Sequence, residues 1–356
     1  MMNWSLNLAS ANAASANQPP KTDENAPFTR GRYEPVQLSV HDYRELQEKG
    51  FVKVAGLIPQ SEIHELSLHM DRVLQGQETA PGFPPIDASM SEADRVARFS
   101  RIHNAHRVHA MHERFLLHPR ILDVLESLHG PDILALQSMP FFKQPGQPGQ
   151  GYHQDSYYIP TLPNTLIAAW VAVSEATEDN GCVWFRASSQ AEPLYPEPDN
   201  EFTHESRTLQ GVFDNHTASD DNPETNQLAA VAQRYPEVAC PAKPGDVIFF
   251  RGNVLHRSHA NRSSMPRRAF VGHYCDARSF VPWNMGEGWE GMERGEGANQ
   301  YHVLARGDTH LEFATPRFGT PCAAVEERRS RVVGSLIDMP MAGNGKMGMG
   351  SVRVMR

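Results

Sequence analysis

The chain has 356 residues, 40% of them hydrophobic and 21% charged, which allows one large domain or two ordinary ones around a substantial core. Its formal net charge of -9 excludes a nonspecific nucleic-acid binder, because such proteins need a basic face. No run approaches the roughly 18 apolar residues of a membrane span, so the sequence predicts a soluble cytoplasmic protein.

The first 35 residues are predicted to form a disordered tail. They are rich in Ala, Asn and Ser, and they lack the basic and continuous apolar regions of a secretory signal. The cysteines are widely spaced and include no CxxC pair, which indicates reduced thiols rather than a disulfide framework or a zinc ribbon. They are Cys182, Cys240, Cys275 and Cys322.

Residues 36–320 are predicted to form a single domain that opens with a helical part, residues 38–130. In "SVHDYRELQEKGFVKVAGLIPQSEIHELSLHMDRVLQG", two amphipathic helices flank a short strand. Gly50 is expected to end the first helix and Ser61 to cap the second. A further helical section follows a polar loop and ends at Gly130.

Two histidine patterns in this helical part predict no metal site. In "HELSLH" the two histidines are five residues apart, so they leave the shared helical face that HExxH requires. A second row recurs every three residues and drifts around a helix without an obvious carboxylate partner. It comprises His103, His106, His109 and His112. We interpret this row as a half-exposed helix face, from which one member could point into a site.

The part from residue 131 to about 276 is predicted to be β-rich. Short apolar strands alternate with Gly, Pro and Asn turns, which is typical of a barrel or a double-sheet jelly roll. Residues 191–235 form a polar insert loop, and a loop of that length is usually functional or disordered. Residues 321–356 are expected to be a partly flexible extension.

The stretch "GQGYHQDSYYI" places His153 and Asp155 two residues apart, and alternate residues of a strand share one face. About a hundred residues later, "GDVIFFRGNVLHRSHANRSSMPRRAF" supplies His256, with Arg267 eleven residues further on. Two histidines and one carboxylate on one face of a metal are the ligand set of non-haem Fe(II) oxygenases. A fixed arginine could hold the distal carboxylate of a 2-oxo acid cosubstrate, and Ser258 could add a hydroxyl donor.

These motifs and the intervening "LIAAWVAVSEATEDNGCVWF" resemble the phytanoyl-CoA dioxygenases, a family that also includes ectoine hydroxylase. The resemblance covers roughly residues 40–275. It implies a mainly β fold, with a double-stranded β-helix (jelly roll, cupin-like) core and flanking N-terminal α-helices. It also implies iron ligation by His153, Asp155 and His256, with Fe(II), 2-oxoglutarate and O2 as cofactors.

The resemblance further implies which residues bind 2-oxoglutarate. Counting eleven residues back from Arg267 reaches His256, whereas Arg268 would give twelve, so Arg267 is preferred. The other predicted contacts are Met139, Gln154, Trp170, Ser258 and, with a one-residue gap, Arg101. A dry substrate pocket is predicted beside them, lined by Tyr157, Tyr158 and Phe141.

The expected activity is hydroxylation of an unactivated C-H bond in a small molecule, with release of succinate and CO2. In related halogenases a small residue replaces the carboxylate, so Asp155 favours hydroxylation. The chain departs from the family at "RASSQ", where a Gly-Ser-His turn is common, and at the 191–235 insert. Two alternatives stay open, a cupin-like metalloenzyme that does not use 2-oxoglutarate and a non-catalytic ligand-binding β-barrel. The substrate and the oligomeric state are not determined.

Overall fold

The computed structural model describes five main stretches of the chain: residues 35–80, 104–159, 161–194, 227–279 and 302–309. It also describes residues 83, 86, 89–91, 94–95, 102 and 281. The predicted tail, apart from its last residue, and the predicted C-terminal extension lie outside these residues. None of the described helices is both long and apolar enough to cross a membrane.

The helices lie mainly in the N-terminal part, as expected. They are α1 (Val40–Lys49), α2 (Gln60–Leu74), α3 (Ala110–Leu116) and α4 (Pro119–His129), with the short α5 (Asp155–Tyr158) and α6 (Gln227–Ala232) further along the chain. Gly50 ends α1 in a left-handed conformation with φ of 85°, which glycine adopts at little cost. The prediction that Ser61 caps α2 is wrong, because Ser61 lies inside the helix, which begins at Gln60 with Pro59 as its N-cap.

The histidine row is not the half-exposed face of one helix, so that interpretation is wrong. A short 3-10 turn, Ala105–Arg107, contains His106, and a new helix then begins with His109 as its N-cap. His106 and His112 are both buried. His103 lies outside the described residues. The 3-10 turn ends at residue 107 and the α-helix begins at residue 110, so the histidines that recur every three residues do not lie along one helix.

The described strands form two antiparallel sheets. They are β1 (Phe51–Val54), β2 (Ile133–Lys143), β3 (Gln150–His153), β4 (Ile167–Ala172), β5 (Val183–Arg186), β6 (Glu237–Cys240), β7 (Val247–Arg251), β8 (His256–Ser258), β9 (Arg267–Asp276) and β10 (Val303–Arg306). The order is β1-β7-β4-β9-β2-β10 in the larger sheet and β3-β8-β5-β6 in the smaller one. The region predicted to be β-rich therefore holds most of the strands.

Two hydrophobic clusters place the sheets and helices in layers. One cluster contains side chains from both sheets, such as Trp170 and Ile248 with Phe185 and Cys240, so the two sheets pack face to face. The other contains residues of the larger sheet and of the helices, such as Phe249 with Leu66 and Phe115. The helices therefore cover the outer face of the larger sheet. The insert 191–235 is not entirely loop, because α6 lies within it.

Neighbouring arginines at the start of β9 face opposite layers, as the two-residue period of a strand requires. Arg267 is buried and lies over the Trp170 ring, between the sheets. Arg268 points to the helical layer, where it contacts Asp71 at 2.5 Å and Ser67 at 3.3 Å. The register of β9 therefore decides which guanidinium enters the space between the sheets.

The last described strand, β10, is joined to the helical layer by a buried ion pair. Arg306 contacts Asp123 at 2.6 Å and Glu126 at 2.5 Å, and the side chains of Arg306 and Asp123 are only 10% and 8% exposed. Removing one member of such a pair leaves a buried charge without its partner.

We therefore expect Arg306→Ala to lower the free energy of unfolding by about 3–5 kcal/mol. Lys49→Ala removes an exposed pair with Glu45 and is the control, with an expected loss of about 0.3–0.5 kcal/mol. Urea unfolding measures both variants. Equal midpoints for the two would contradict a stabilising role for the β10 ion pair.

Candidate metal centre

The two sheet strands β3 and β8 and the short helix α5 bring three possible metal ligands together. His153 ends β3, Asp155 begins α5, and His256 begins β8, where it pairs in register with His153. The Nε2 atoms of both histidines lie 3.6 Å from Asp155 Oδ1, and the ring centroids are 4.0 Å apart. One ligand atom from each residue lies within 4.8 Å of the others, so all three can reach one ion.

Backbone carbonyls fix the orientation of both imidazole rings. His153 Nδ1 contacts the Gly151 carbonyl at 2.9 Å, and His256 Nδ1 contacts the Val254 carbonyl at 3.0 Å. A carbonyl only accepts hydrogen bonds, so each Nδ1 carries the proton and each Nε2 carries a lone pair. This is the tautomer that metal-ligating histidines require. The Gln150 amide lies 3.2 Å from His153 Nε2, so it must move when a metal takes that lone pair.

Asp155 is held by a third histidine that the sequence analysis missed. His273 of β9 contacts Asp155 Oδ2 at 3.2 Å through Nε2, which leaves Oδ1 facing the other two rings. Although burial alone would raise the pKa of Asp155, the surrounding His256, His273 and His153 lower it below its ordinary value. The carboxylate is therefore ionised and ready to bind a cation.

Hydrogen bonds between loops set the distance from Asp155 to His256. Gln154 donates through its amide nitrogen to the carbonyls of Pro193 and Asn253, each at 3.0 Å, and the Ser156 amide donates to the Gly252 carbonyl. Both amide protons of Gln154 are thus in use. Gln154 therefore holds the loops beside the ligands together, and its contact with a cosubstrate stays a prediction.

A pair of buried cations lies next to this centre. Arg267 is 4% exposed, and its Nε has no hydrogen-bond partner among the described residues. Lys143, its partner in register across β2 and β9, is 9% exposed and reaches Ser258 Oγ at 2.9 Å and the His259 carbonyl at 2.7 Å. Burial and the charge of Arg267 lower the pKa of Lys143. Neither side chain has a carboxylate partner in the described part of the chain, so an anion would compensate the buried pair.

Of the remaining predicted residues, three lie at the cluster between the sheets and one is buried elsewhere among the described residues. Trp170 and Met139 belong to the cluster between the sheets, Phe141 packs against it, and Tyr157 is buried. The Arg267 guanidinium lies 5.4 Å from the centroid of the Trp170 ring. Arg101 and the side chain of Tyr158 lie outside what the structure describes.

Comparison with known proteins identifies a family. A family described as phytanoyl-CoA dioxygenase (PhyH) matches residues 46–269, which is more than half of the chain. The phytanoyl-CoA dioxygenase domain-containing protein 1 of Danio rerio is 29% identical over 192 residues, which are 52% of this chain and 60% of that protein. The chain therefore matches less than two thirds of that relative's length. The peroxisomal phytanoyl-CoA dioxygenase of Bos taurus is 23% identical over 72% of this chain and 74% of its own.

A solved structure supports the same architecture. The non-heme alpha ketoglutarate dependent carbocyclase SnoK from nogalamycin biosynthesis superposes with a TM-score of 0.52, at 20% identity. The superposition covers 72% of this chain and 89% of that one. At this identity the likeness concerns the fold.

We expect His273→Ala to weaken the binding of a divalent metal about 10- to 100-fold, because Asp155 would lose the contact that orients its carboxylate. Isothermal titration with Co²⁺ measures this change. His64→Ala is the control, since that histidine is exposed on α2. Unchanged affinity in His273→Ala would show that Asp155 needs no such support.

Proposed function

The chain belongs to the phytanoyl-CoA dioxygenase family, and from this premise we propose that it hydroxylates an unactivated C-H bond of a small molecule, using Fe(II) and 2-oxoglutarate. Succinate and CO2 are the co-products. The observation that carries the proposal is the meeting of His153, Asp155 and His256 beside the buried guanidinium of Arg267. A donor set of two imidazole nitrogens and one carboxylate oxygen suits Fe(II), and it leaves positions open for a chelating cosubstrate.

The roles of the three ligands follow from their surroundings. His153 and His256 offer Nε2 lone pairs, which the Gly151 and Val254 carbonyls aim by holding the opposite ring nitrogens. Asp155 offers Oδ1, because His273 occupies Oδ2. When bound, the iron and 2-oxoglutarate together activate O2 for oxidation of the substrate.

The cosubstrate is proposed to lie between the ligands and the cation pair. Ser258 is on the same face of β8 as His256, about 6.5 Å along the strand, and it contacts Lys143. A dicarboxylate can therefore point one end at the metal and the other at Arg267, which offers two parallel hydrogen bonds. Lys143 adds a second positive charge at that end, and Met139 and Trp170 form an apolar wall.

The substrate is proposed to enter on the side of Tyr157, Tyr158 and Phe141. Phe141 and the apolar cluster that it packs against would exclude water there, so that the reactive centre meets the target C-H bond rather than solvent. Because Asp155 retains the carboxylate, hydroxylation is favoured over halogenation. The two sheets are proposed to form the double-stranded β-helix of the cupin-like folds, within a single domain of residues 36–320.

We expect anaerobic addition of Fe(II) and 2-oxoglutarate to give a visible metal-to-ligand charge-transfer band. His153→Ala and Asp155→Ala should abolish the band, because each removes a proposed ligand. His64→Ala, on the exposed side of α2, is the control and should leave it unchanged.

Other outcomes of this titration separate the alternatives. A band of full strength in both ligand variants would reject these ligands. A wild-type protein that binds Fe(II) but shows no response to 2-oxoglutarate would favour a cupin-like metalloenzyme of another kind. Failure to retain Fe(II) would favour a non-catalytic ligand-binding β-barrel.

We expect Arg267→Ala to weaken 2-oxoglutarate binding by about 2–5 kcal/mol, which is at least about 30-fold, because the distal carboxylate would lose its buried partner. Arg268→Ala is the matched control, since the neighbouring side chain faces the helical layer. Titration of the charge-transfer band gives both dissociation constants. An unchanged constant in Arg267→Ala would reject its role as the anchor.

A further inference from the structure

A second group of histidines lies in the helical layer, outside the candidate metal centre. It consists of His69 on α2, His109 and His112 at the start of α3, and the carboxylate of Glu78 between the two helices. We call this group the histidine cluster. It shares no residue with the centre formed by His153, Asp155 and His256.

Distances within the histidine cluster are short. The Nε2 atoms of His69 and His112 are 2.8 Å apart, and one ring nitrogen from each of the three histidines lies within 4.8 Å of the others. Glu78 contacts His69 Nδ1 and His109 Nε2, each at 2.9 Å. On a tetrahedral ion with bonds of about 2.0–2.1 Å, ligand nitrogens are about 3.3 Å apart. Small side-chain movements would therefore place all three rings around one ion.

The contacts within the histidine cluster leave one buried ring nitrogen without a partner. His69 and His112 are 0% and 1% exposed. His69 Nδ1 has the Glu78 carboxylate at 2.9 Å, whereas His112 Nδ1 has no hydrogen-bond partner among the described residues. A buried polar atom without a partner calls for a ligand or another compensating group.

The protonation states also suit metal binding. Burial, followed by the nearby His109, lowers the pKa of His69 to about 4, and burial lowers that of His112 well below its usual value. Both rings are therefore neutral at neutral pH and carry lone pairs. Glu78 is held by Arg72 at 2.8 Å, as outer groups commonly hold a ligating carboxylate.

From this geometry we propose that His69, His109 and His112 bind a structural Zn²⁺ ion, with the Glu78 carboxylate beside them as the group that moves in to complete the shell. Imidazole donors without a thiolate suit zinc, and movement of Glu78 toward the three rings would give its preferred four-coordinate shell. His109 and Glu78 are 18% and 23% exposed, so they provide the entry path. Calcium and magnesium are disfavoured because they prefer an all-oxygen shell.

Binding has one identifiable cost. In the metal-free chain, His109 Nδ1 accepts a hydrogen bond from the Met111 amide at 3.2 Å and so caps α3. Ligation through Nε2 places the ring proton on Nδ1, and this cap is then lost. The gain is a bond between the end of α2 and the start of α3, which packs against Phe270 of β9 through His112.

The test is the zinc stoichiometry of the full-length chain, measured by equilibrium dialysis and elemental analysis. We expect two equivalents in the wild type, because Zn²⁺ also occupies the His153 centre. One equivalent should remain in His69→Gln/His112→Gln, and one in Asp155→Ala. His64→Gln, on the same helix but exposed, is the matched control and should keep two.

Two further measurements remain informative even if the double variant misfolds. His109→Gln and Glu78→Gln change partly exposed residues, and each should weaken the second equivalent about 10- to 100-fold. Co²⁺ substitution should give the intense visible bands of four-coordinate cobalt in the wild type and in Asp155→Ala. Those bands should be absent from His69→Gln/His112→Gln.

Three results would overturn the proposed zinc site. A folded His69→Gln/His112→Gln protein that still binds the wild-type amount of zinc would reject the site. So would a wild type with one equivalent that only Asp155→Ala removes. If the double variant does not fold, unchanged zinc affinity in both His109→Gln and Glu78→Gln would reject it.

Discussion

The candidate metal centre depends on the direction in which two buried imidazole rings present their lone pairs. His153 and His256 are about a hundred residues apart in the sequence, and pairing of β3 with β8 places them opposite each other. Their proximity alone would not make a site, since an imidazole turned by half a rotation offers a proton instead of a lone pair. The Gly151 and Val254 carbonyls remove that ambiguity, because they can only accept. Two backbone carbonyls thus fix which nitrogen of each ring carries the lone pair before any ion is bound.

A similar logic applies to the cation pair. Burying Arg267 and Lys143 side by side is unfavourable in the free protein, because each charge loses water and repels the other. An anionic ligand would relieve both effects at once. Lys143 also joins the two sheets, since it extends from the larger sheet to Ser258 at the end of β8 and to the neighbouring His259 carbonyl. A ligand that contacts Lys143 would therefore also act on the packing of the two sheets.

The sequence predicted what depends on local spacing and left out what depends on strand register. The spacing of His153 and Asp155 was enough to pair them, although the expectation that both lie on one strand was wrong, because β3 ends at His153 and Asp155 begins α5. Lys143 and His273 were missed because their positions follow from the pairing of β9 with β2 and from its facing toward α5, which no local pattern reveals. His112 was misjudged for a related reason, since the helix assumed to contain it starts only at residue 110. The predicted β-rich region and the capping glycines depend on local chemistry, and both were found where expected.

The opposed arginines of β9 have a consequence for how this chain can vary. The pairing of β9 with β2 and β4 decides which of Arg267 and Arg268 faces the space between the sheets. A slip of one residue in that pairing would exchange the two guanidinium groups. The Arg268–Asp71 ion pair opposes such a slip from the far side of the sheet. The length of the loop between β8 and β9 can therefore vary without moving the buried guanidinium, as long as this ion pair and the strand pairing are kept.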